Sequence, residues 1–298
     1  MRRSLSRLIF GLMVVFGLVL IEAHYEMNQT APPVPPIEQL AAVSGGTDGP
    51  VRLRYINSGT QVWPGGARGT YGGFLLEWAD GRTFAIDVGM RKPVAIDFGK
   101  SLELLGAGPV QAFGSMAEVL RVEAKRIEGV GLSHMHYDHT DGMGLLCRIH
   151  PEKLSVYQVP VQYRRGNFGT FLGEADLEDA DCVVRIQLLK GPLYDIPGFP
   201  GLAAFPVGGH TPGSTIFVAN VAGTLWVFAG DVTNNFQNLL DDVAKPLAYS
   251  LFLIPEDRTR LHQLRVWLAQ INERPEFEVL VAHDLDRIAE AGIEIVPR

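Results

Sequence analysis

The sequence predicts an α/β fold, and three observations carry that prediction. Segments of alternating apolar and polar residues follow one another from Val51 to Asp87 as a meander. Further along, such segments alternate with stretches of helical spacing. Several segments rich in histidine or aspartate fall just after predicted strands, where loops converge at one edge of a sheet. The chain has 298 residues, 47% of them hydrophobic. That composition fills a core without disulfide or metal staples.

Residues 1–23 stand outside the fold. Arg2, Arg3 and Arg7 precede the uncharged run Leu8–Ile21, the order of a secretory signal peptide. At about 1.5 Å per residue that run reaches about 21 Å, short of the roughly 30 Å hydrocarbon core. A signal removed after Ala23 is the first reading. Ile21 is a poor small residue at the −3 position of that cut, so an uncleaved membrane anchor through residues 8–21 stays open. Either way the protein is expected to be exported, periplasmic or secreted. Residues 24–50 contain Ala31-Pro32-Pro33-Val34-Pro35-Pro36 and Ser44–Pro50 with little apolar periodicity. They read as a semi-extended linker ahead of a domain at 51–298.

Within that domain Val51–Ile56 alternates as a strand. Gly73–Trp78 and Thr83–Asp87 form a hairpin around Ala79-Asp80-Gly81-Arg82. Ser115–Ile127 has helical spacing, and Gly129–Leu132 is a short strand leading into a histidine cluster. Leu154–Val159, Val183–Leu189 and Leu202–Val207 are further strands. Thr215–Ala219 and Thr224–Ala229 pair around Val221-Ala222-Gly223. Asp257–Ile271 is an amphipathic helix, and Glu278–Ala282 is a last strand.

The formal charge is −7, with no sustained Lys/Arg run. A nucleic-acid footprint is basic, so the expected partner is a small-molecule substrate and not DNA or RNA. A membrane tether through the N-terminal segment is the one other partner the sequence offers. An oxidising compartment would let Cys147 and Cys182 pair in a single way. Cys147 sits in the apolar run Gly144-Leu145-Leu146-Cys147, where a buried free thiol is the more ordinary reading.

Three of the eight histidines fall in Ser133-His134-Met135-His136-Tyr137-Asp138-His139. Imidazoles and a carboxylate this dense are costly to bury unless they pair or bind a metal. His134 and His136 are two apart in an extended segment, so both project to one side. Asp138 continues the alternation and His139 breaks it, which a local turn would resolve by aiming both at a second metal. Asp231 ends the apolar strand Trp226–Gly230, and its two oxygens can bridge two ions. His210, in Gly208-Gly209-His210-Thr211-Pro212-Gly213-Ser214, and His283, in Val281-Ala282-His283-Asp284, complete one metal each. His24, His150 and His262 lack such context and read as surface residues.

These segments resemble the metallo-β-lactamase fold superfamily. The similarity runs through Ile86-Asp87-Val88-Gly89, then His-x-His-x-Asp-His at 134–139, and then Gly209–Ser214. Ala229-Gly230-Asp231 and Ala282-His283-Asp284 complete it in order, so it covers nearly all of the folded body. It implies a four-layer αββα sandwich. It also implies two divalent metal ions, zinc foremost. His134, His136 and His210 would hold one, Asp138, His139 and His283 the other, and Asp231 would bridge them. Asp87 would support the histidine loop from below.

The resemblance further implies a metal-dependent hydrolase in which a metal-bridging hydroxide attacks an ester-type acyl bond, with lactones the leading subclass. Asp138 is the expected catalytic residue, orienting that nucleophile or accepting its proton. The seven-ligand set is similar to the lactonase and glyoxalase II branches. Broad-spectrum β-lactamases of similar pattern lack an aspartate like Asp231, and lactonases carry a tyrosine where this chain has Asn234. A phosphodiesterase, a β-lactamase-like hydrolase and a non-catalytic, metal-stabilised binding protein are the alternatives. Three segments border this chemistry: the Gly-rich Gln61–Gly73 as a mobile lid or a loop covering the core edge, Gln162–Asp181, where Arg164 and Arg165 neighbour Phe168 and Phe171, and the apolar Asn234–Leu253.

Overall fold

In the computed structural model, which describes residues 2–150, 152–189, 191 and 193–297, the expected first strand grows into a long one. Strand β1 (Pro50–Val62) pairs antiparallel with β2 (Arg68–Trp78), which pairs antiparallel with β3 (Thr83–Ile86). A short β4 (Gln111–Ala112) pairs with β1. Three parallel strands follow: β5 (Ile127–Gly131), β6 (Leu154–Gln158) and β7 (Val183–Gln187). The second sheet takes β8 (Tyr194–Asp195), β9 (Leu202–Pro206), β10 (Thr215–Val221), β11 (Thr224–Phe228) and β12 (Phe277–Leu280), in the order β12-β11-β10-β9-β8. A last strand, β13 (Glu294–Val296), returns to lie parallel with β1.

The two sheets face each other across an aromatic core. Phe74 and Phe228 stack 4.8 Å apart, and Phe84 meets Phe199 at 4.9 Å. Eleven helices lie among the described residues. Of these, α4 (Met116–Leu120), α6 (Met143–Ile149) and α8 (Phe171–Glu178) cover the outer face of the first sheet, burying Met116, Leu146 and Leu177 with Val130 and Val156. On the outer face of the second sheet, α10 (Arg258–Asn272) buries Leu261, Leu264, Leu268 and Ile271 against Val218, Val227 and Val279. That three- and four-residue spacing is one helix face, and each such side chain contributes roughly 1.5–3 kcal/mol by leaving water. Asp257 caps this helix by accepting from the Arg260 amide. The result is the four-layer αββα sandwich.

Several segments depart from the sequence reading. The helix expected over Ser115–Ile127 is opened by a Ser115–Glu118 capping box and stops at Leu120. Arg121 takes a left-handed φ of 54°, and a tighter 3-10 turn carries on to Arg126. Beyond that kink Ala124 and Ile127 both bury in the outer core. The helix α3 (Lys92–Glu103), with Pro93 in its first turn, went unrecognised in a Gly- and Pro-punctuated stretch.

Residues 2–50 take definite places in the structure. Helix α1 runs from Arg2 to Asn28, past Ala23 without a break. The stretch read as a semi-extended linker is packed on the body. In it α2 (Ile37–Ala41) buries Leu40, and Val43 follows into the core outside the second sheet. Asn220 donates to the Val43 carbonyl, and Arg260 donates to that of Pro32. Leu40 and Val43 are three apart, one turn of helix, too few apolar positions to show as periodicity among prolines and glycines.

Cys147 and Cys182 are disulfide-bonded, with Cα atoms 5.3 Å apart, which corrects the free-thiol reading. The apolar run around Cys147 is α6, whose rim faces the start of β7, where Cys182 waits.

Candidate metal centre

The site is assembled from loops at the ends of β3, β5, β9, β11 and β12. After β3, Asp87 adopts a left-handed φ of 62°, a region aspartate tolerates better than most residues. That turn aims its carboxylate at the next loop. Its Oδ1 accepts from the Ser133 amide, and its Oδ2 accepts from Ser133 Oγ, both at 2.7 Å. The Thr215 amide donates to the Ser133 carbonyl at 2.7 Å and ties the loop to the second sheet. His136 is extended, and the chain then turns into the single-turn helix α5 (Tyr137–Thr140). This local turn redirects Asp138 and His139, while the His139 ring stays 4.0 Å from that of His134.

His210 lies on a loop that needs two glycines at positive φ, Gly208 at 65° and Gly209 at 91°. Asp231 follows β11 after Gly230, also left-handed at 55°. His283 lies three residues past the end of β12.

The structure brings all seven residues together, each of them buried. Three donor groups overlap: His134, His136 and His210; Asp138, His139 and His283; and His134, His139 and Asp231. His136 Nδ1 lies 3.0 Å from His134 Nε2 and 3.1 Å from His210 Nε2. Ligands at about 2.0–2.1 Å around a tetrahedral ion are about 3.3 Å apart, so this triangle fits a cation. Asp138 Oδ2 lies 3.5 Å from His139 Nε2 and 3.6 Å from His283 Nε2. Asp231 reaches both groups, with Oδ2 at 3.5 Å from His210 Nε2 and 3.1 Å from His283 Nε2.

The outer nitrogens are held, which fixes where the inner ones point. His139 Nδ1 donates to Asp87 Oδ2 at 2.8 Å, and His283 Nδ1 donates to the Thr70 carbonyl at 2.8 Å. His210 Nδ1 donates to Glu256 Oε1 at 2.6 Å. Ser133 Oγ, which gives its proton to Asp87, accepts from His134 Nδ1 at 3.1 Å. Two inner atoms, His139 Nε2 and Asp231 Oδ1, are buried with no hydrogen-bond partner. Such orphans cost about 1–3 kcal/mol each unless an ion satisfies them. The donor set therefore fits two divalent cations.

The electrostatics agree. Burial pushes the His134 and His136 imidazoles well below their ordinary range, which leaves lone pairs free to ligate. Burial opposes charge on His139 too, but Asp87 and Asp138 outweigh it and raise that imidazole to about 10. Burial likewise works against an ionised Asp231, yet the surrounding histidines, His283 first, hold its carboxyl well below the usual range. The pocket favours positive charge between its carboxylates.

Sequence reasoning missed three residues beside this centre. Glu256 precedes α10, its carboxylate fully buried, and Lys245 Nζ donates to it at 3.0 Å and to the Asp231 carbonyl at 3.0 Å. Burial opposes charge on Glu256, but Lys245 and the His210 hydrogen bond bring its carboxyl down to about 2. The Tyr249 ring lies 5.4 Å from Lys245 Nζ. Burial, with Glu256, Asp231 and Asp138 nearby, pushes its phenol well above the ordinary value. Neither 245 nor 256 sits in a recognisable local pattern. Tyr249 opens a π-helical turn, Tyr249–Leu253, which no residue pattern announces.

The bordering segments take definite places. Gln61–Gly73 is mostly strand, the facing ends of β1 and β2, so the mobile-lid reading gives way to a hairpin. Tyr71 is buried and donates to Gln61 Oε1 at 2.9 Å, and the Trp63 ring lies 6.0 Å from that of His283. Arg165 pairs with Glu26 at 2.8 Å, while the Phe168 side chain lies outside the described residues. In Asn234–Leu253, Leu239 is buried, but Leu251, Phe252 and Leu253 point outward. Of the other histidines, His262 is exposed, and His150 donates to the Ile127 carbonyl at 2.7 Å.

A family model described as the metallo-beta-lactamase superfamily matches residues 74–283, the span that contains all seven residues. The chain belongs to the metallo-beta-lactamase superfamily. Like the family, it is a metal-dependent hydrolase. No curated protein matches the chain. Among solved structures it is similar to an N-acyl homoserine lactone hydrolase with the product N-hexanoyl-L-homoserine bound at its catalytic metal centre. That likeness has a TM-score of 0.59 and 16% identity over 84% of this chain and 99% of the other. A quorum-quenching N-acyl homoserine lactone lactonase gives 0.60 and 15%, with 84% and 99% covered. A mutant of AiiA from B. thuringiensis with N-decanoyl-L-homoserine at its active site gives 0.59 and 16%, again with 84% and 99% covered. At these identities the likeness is one of fold, and it places this superfamily member's two sheets and flanking helices in the metallo-beta-lactamase arrangement.

Proposed function

We propose that the protein is an exported hydrolase of ester-type acyl bonds, lactones foremost, working with two zinc ions held by His134, His136 and His210 and by Asp138, His139 and His283, with Asp231 between them. When bound, such a pair supplies Lewis acidity and a water of lowered pKa. The chain's own groups do the rest. Asp138 would orient the attacking water and accept its proton. Asp87, Glu256 and the Thr70 carbonyl keep His139, His210 and His283 in register through their outer nitrogens. Tyr249, its phenol kept protonated, donates to the acyl oxygen as negative charge develops there. It supplies from another segment the hydroxyl that Asn234 does not.

One observation carries the choice of an acyl bond. Lys245, the cation beside the centre, is already tied to Glu256 and the Asp231 carbonyl. Tyr249, beside Lys245 and with its phenol held protonated by burial and by Glu256, Asp231 and Asp138, then offers a neutral donor, suited to a neutral ester more than to a phosphodiester. Two of the neighbours named above hold an N-acyl homoserine at the site, in keeping with a lactone. Export is supported by the apolar helix α1 and by the disulfide, a bond of oxidising compartments.

The test compares zinc-loaded wild type with Asp138→Asn on aryl esters, medium-chain lactones and bis-aryl phosphodiesters. Turnover of the lactones, lost in the variant, is the expected result. Turnover of the phosphodiester alone refutes the acyl assignment.

A further inference from the structure

The apolar segment and the catalytic body are joined without a spacer. Helix α1 carries a candidate span, Ile9–Asn28, with mean hydropathy 1.7 and only 6% of its most apolar window buried. Its uncharged run ends at Ile21. Two residues later the same helix is docked on the body: Ala23 is 0% exposed and Met27 is buried, as is Thr30 just past the helix end. Glu26 pairs with Arg165 at 2.8 Å, and His24 donates to the Leu251 carbonyl at 3.2 Å. The Thr30 carbonyl sits so close to Gly208 that a Cβ there would meet it at 2.0 Å, which presses the foot of the helix onto the loop that carries His210. The chain then runs back over the second sheet through α2 and does not hold the body away.

Exposed apolar side chains surround this foot. Leu251, whose carbonyl His24 holds, leads into Phe252 and Leu253, both 56% exposed. Helix α1 also contacts the turn Phe168–Thr170, which continues into Phe171 and Leu172, 68% and 54% exposed. The same turn borders the centre, since a Cβ on Gly169 would come within 3.4 Å of His136 Nε2. Apolar rim, helix foot and donor cluster share one end of the molecule.

We infer that α1 is an uncleaved anchor and that the rim formed by Phe171, Leu172, Leu251, Phe252 and Leu253 docks on the lipid bilayer that α1 enters, which sets the mouth of the centre at the membrane surface. The argument is one of reach. A helix rises about 1.5 Å per residue, so the body lies within about one turn of the point where the apolar run ends. A run of about 21 Å is also short for a roughly 30 Å hydrocarbon core, which draws the rim inward. Substrates with an acyl tail then arrive from the leaflet. This last step rests on the acyl-bond reading, whereas the docking does not.

The test uses the full chain in phosphatidylcholine vesicles carrying brominated acyl chains. Phe252→Trp adds a fluorophore at the rim, and Val122→Trp adds one at an exposed site ahead of β5, the end of the sheet opposite the donor cluster. The bromolipid should quench the added emission of the first and spare that of the second. Equal quenching of both, none of either, or shielding of residue 252 by a second copy in detergent would overturn the docking. A mature N-terminus at His24 would overturn the anchor. None of these readouts needs catalysis, so a failed substrate screen leaves them intact.

Discussion

Asp231 Oδ1 lies 3.6 Å from His139 Nε2, and neither atom has a hydrogen-bond partner although both are buried. Two complementary groups at that separation are too far apart to bond to each other and well placed to share an ion at about 2.0–2.2 Å from each. The outer nitrogens of His139, His134, His210 and His283 are held by Asp87, Ser133, Glu256 and the Thr70 carbonyl.

Asp87 sets the tautomer of His139. Asp87→Asn presents a weaker partner to His139 Nδ1, and metal affinity should fall about 10–100-fold. Titration with a competing chelator measures it, and unchanged affinity would remove Asp87 from this role.

Glu256 supplies a pH dependence. Its carboxyl is lowered from 4.5 to about 2 in the folded protein, so the folded state binds its proton less readily than the unfolded state does. The stabilisation is complete above pH 4.5 and is lost as pH falls toward 2. Metal-free Glu256→Gln should be less stable than wild type at pH 7, on the order of 3 kcal/mol. The gap should close as the denaturation midpoint is followed from pH 5 downward.

The Tyr249 phenol is expected to act in the transition state. Tyr249→Phe should lower kcat roughly 100-fold with little change in KM. A rise in KM alone would make the residue a wall of the site and no more.

The Cys147–Cys182 bond closes a loop of sequence separation 35. Replacing both cysteines with serine should cost about 3–4 kcal/mol of stability by loop entropy and leave metal content unchanged. Urea unfolding and elemental analysis separate the two effects.

The grouping of the seven residues was legible because each lies on a loop or turn that follows a strand and sits in a short local pattern. His134, His136, Asp138 and His139 come from one loop, and His210, Asp231 and His283 follow three strands of the other sheet. Glu256, Lys245 and Tyr249 were not legible. Lys245 and Tyr249 lie in a segment that stands out in the sequence only for its apolar residues, Glu256 lies just past its end, and their roles arise from contacts across the fold. The same limit hid the burial of Leu40 and Val43 behind prolines and glycines, and the pairing of two cysteines that approach through α6 and β7. Arg121 shows the opposite case, a good helical pattern broken where Ala124 and Ile127 had to reach the core.

The most direct measurement is the metal content of purified, zinc-supplemented protein beside His283→Ala and Asp231→Ala. Wild type should hold two ions per chain, His283→Ala one, and Asp231→Ala should bind both more weakly. One ion per chain in wild type, unchanged by loss of His283 or His139, would contradict the two-metal centre.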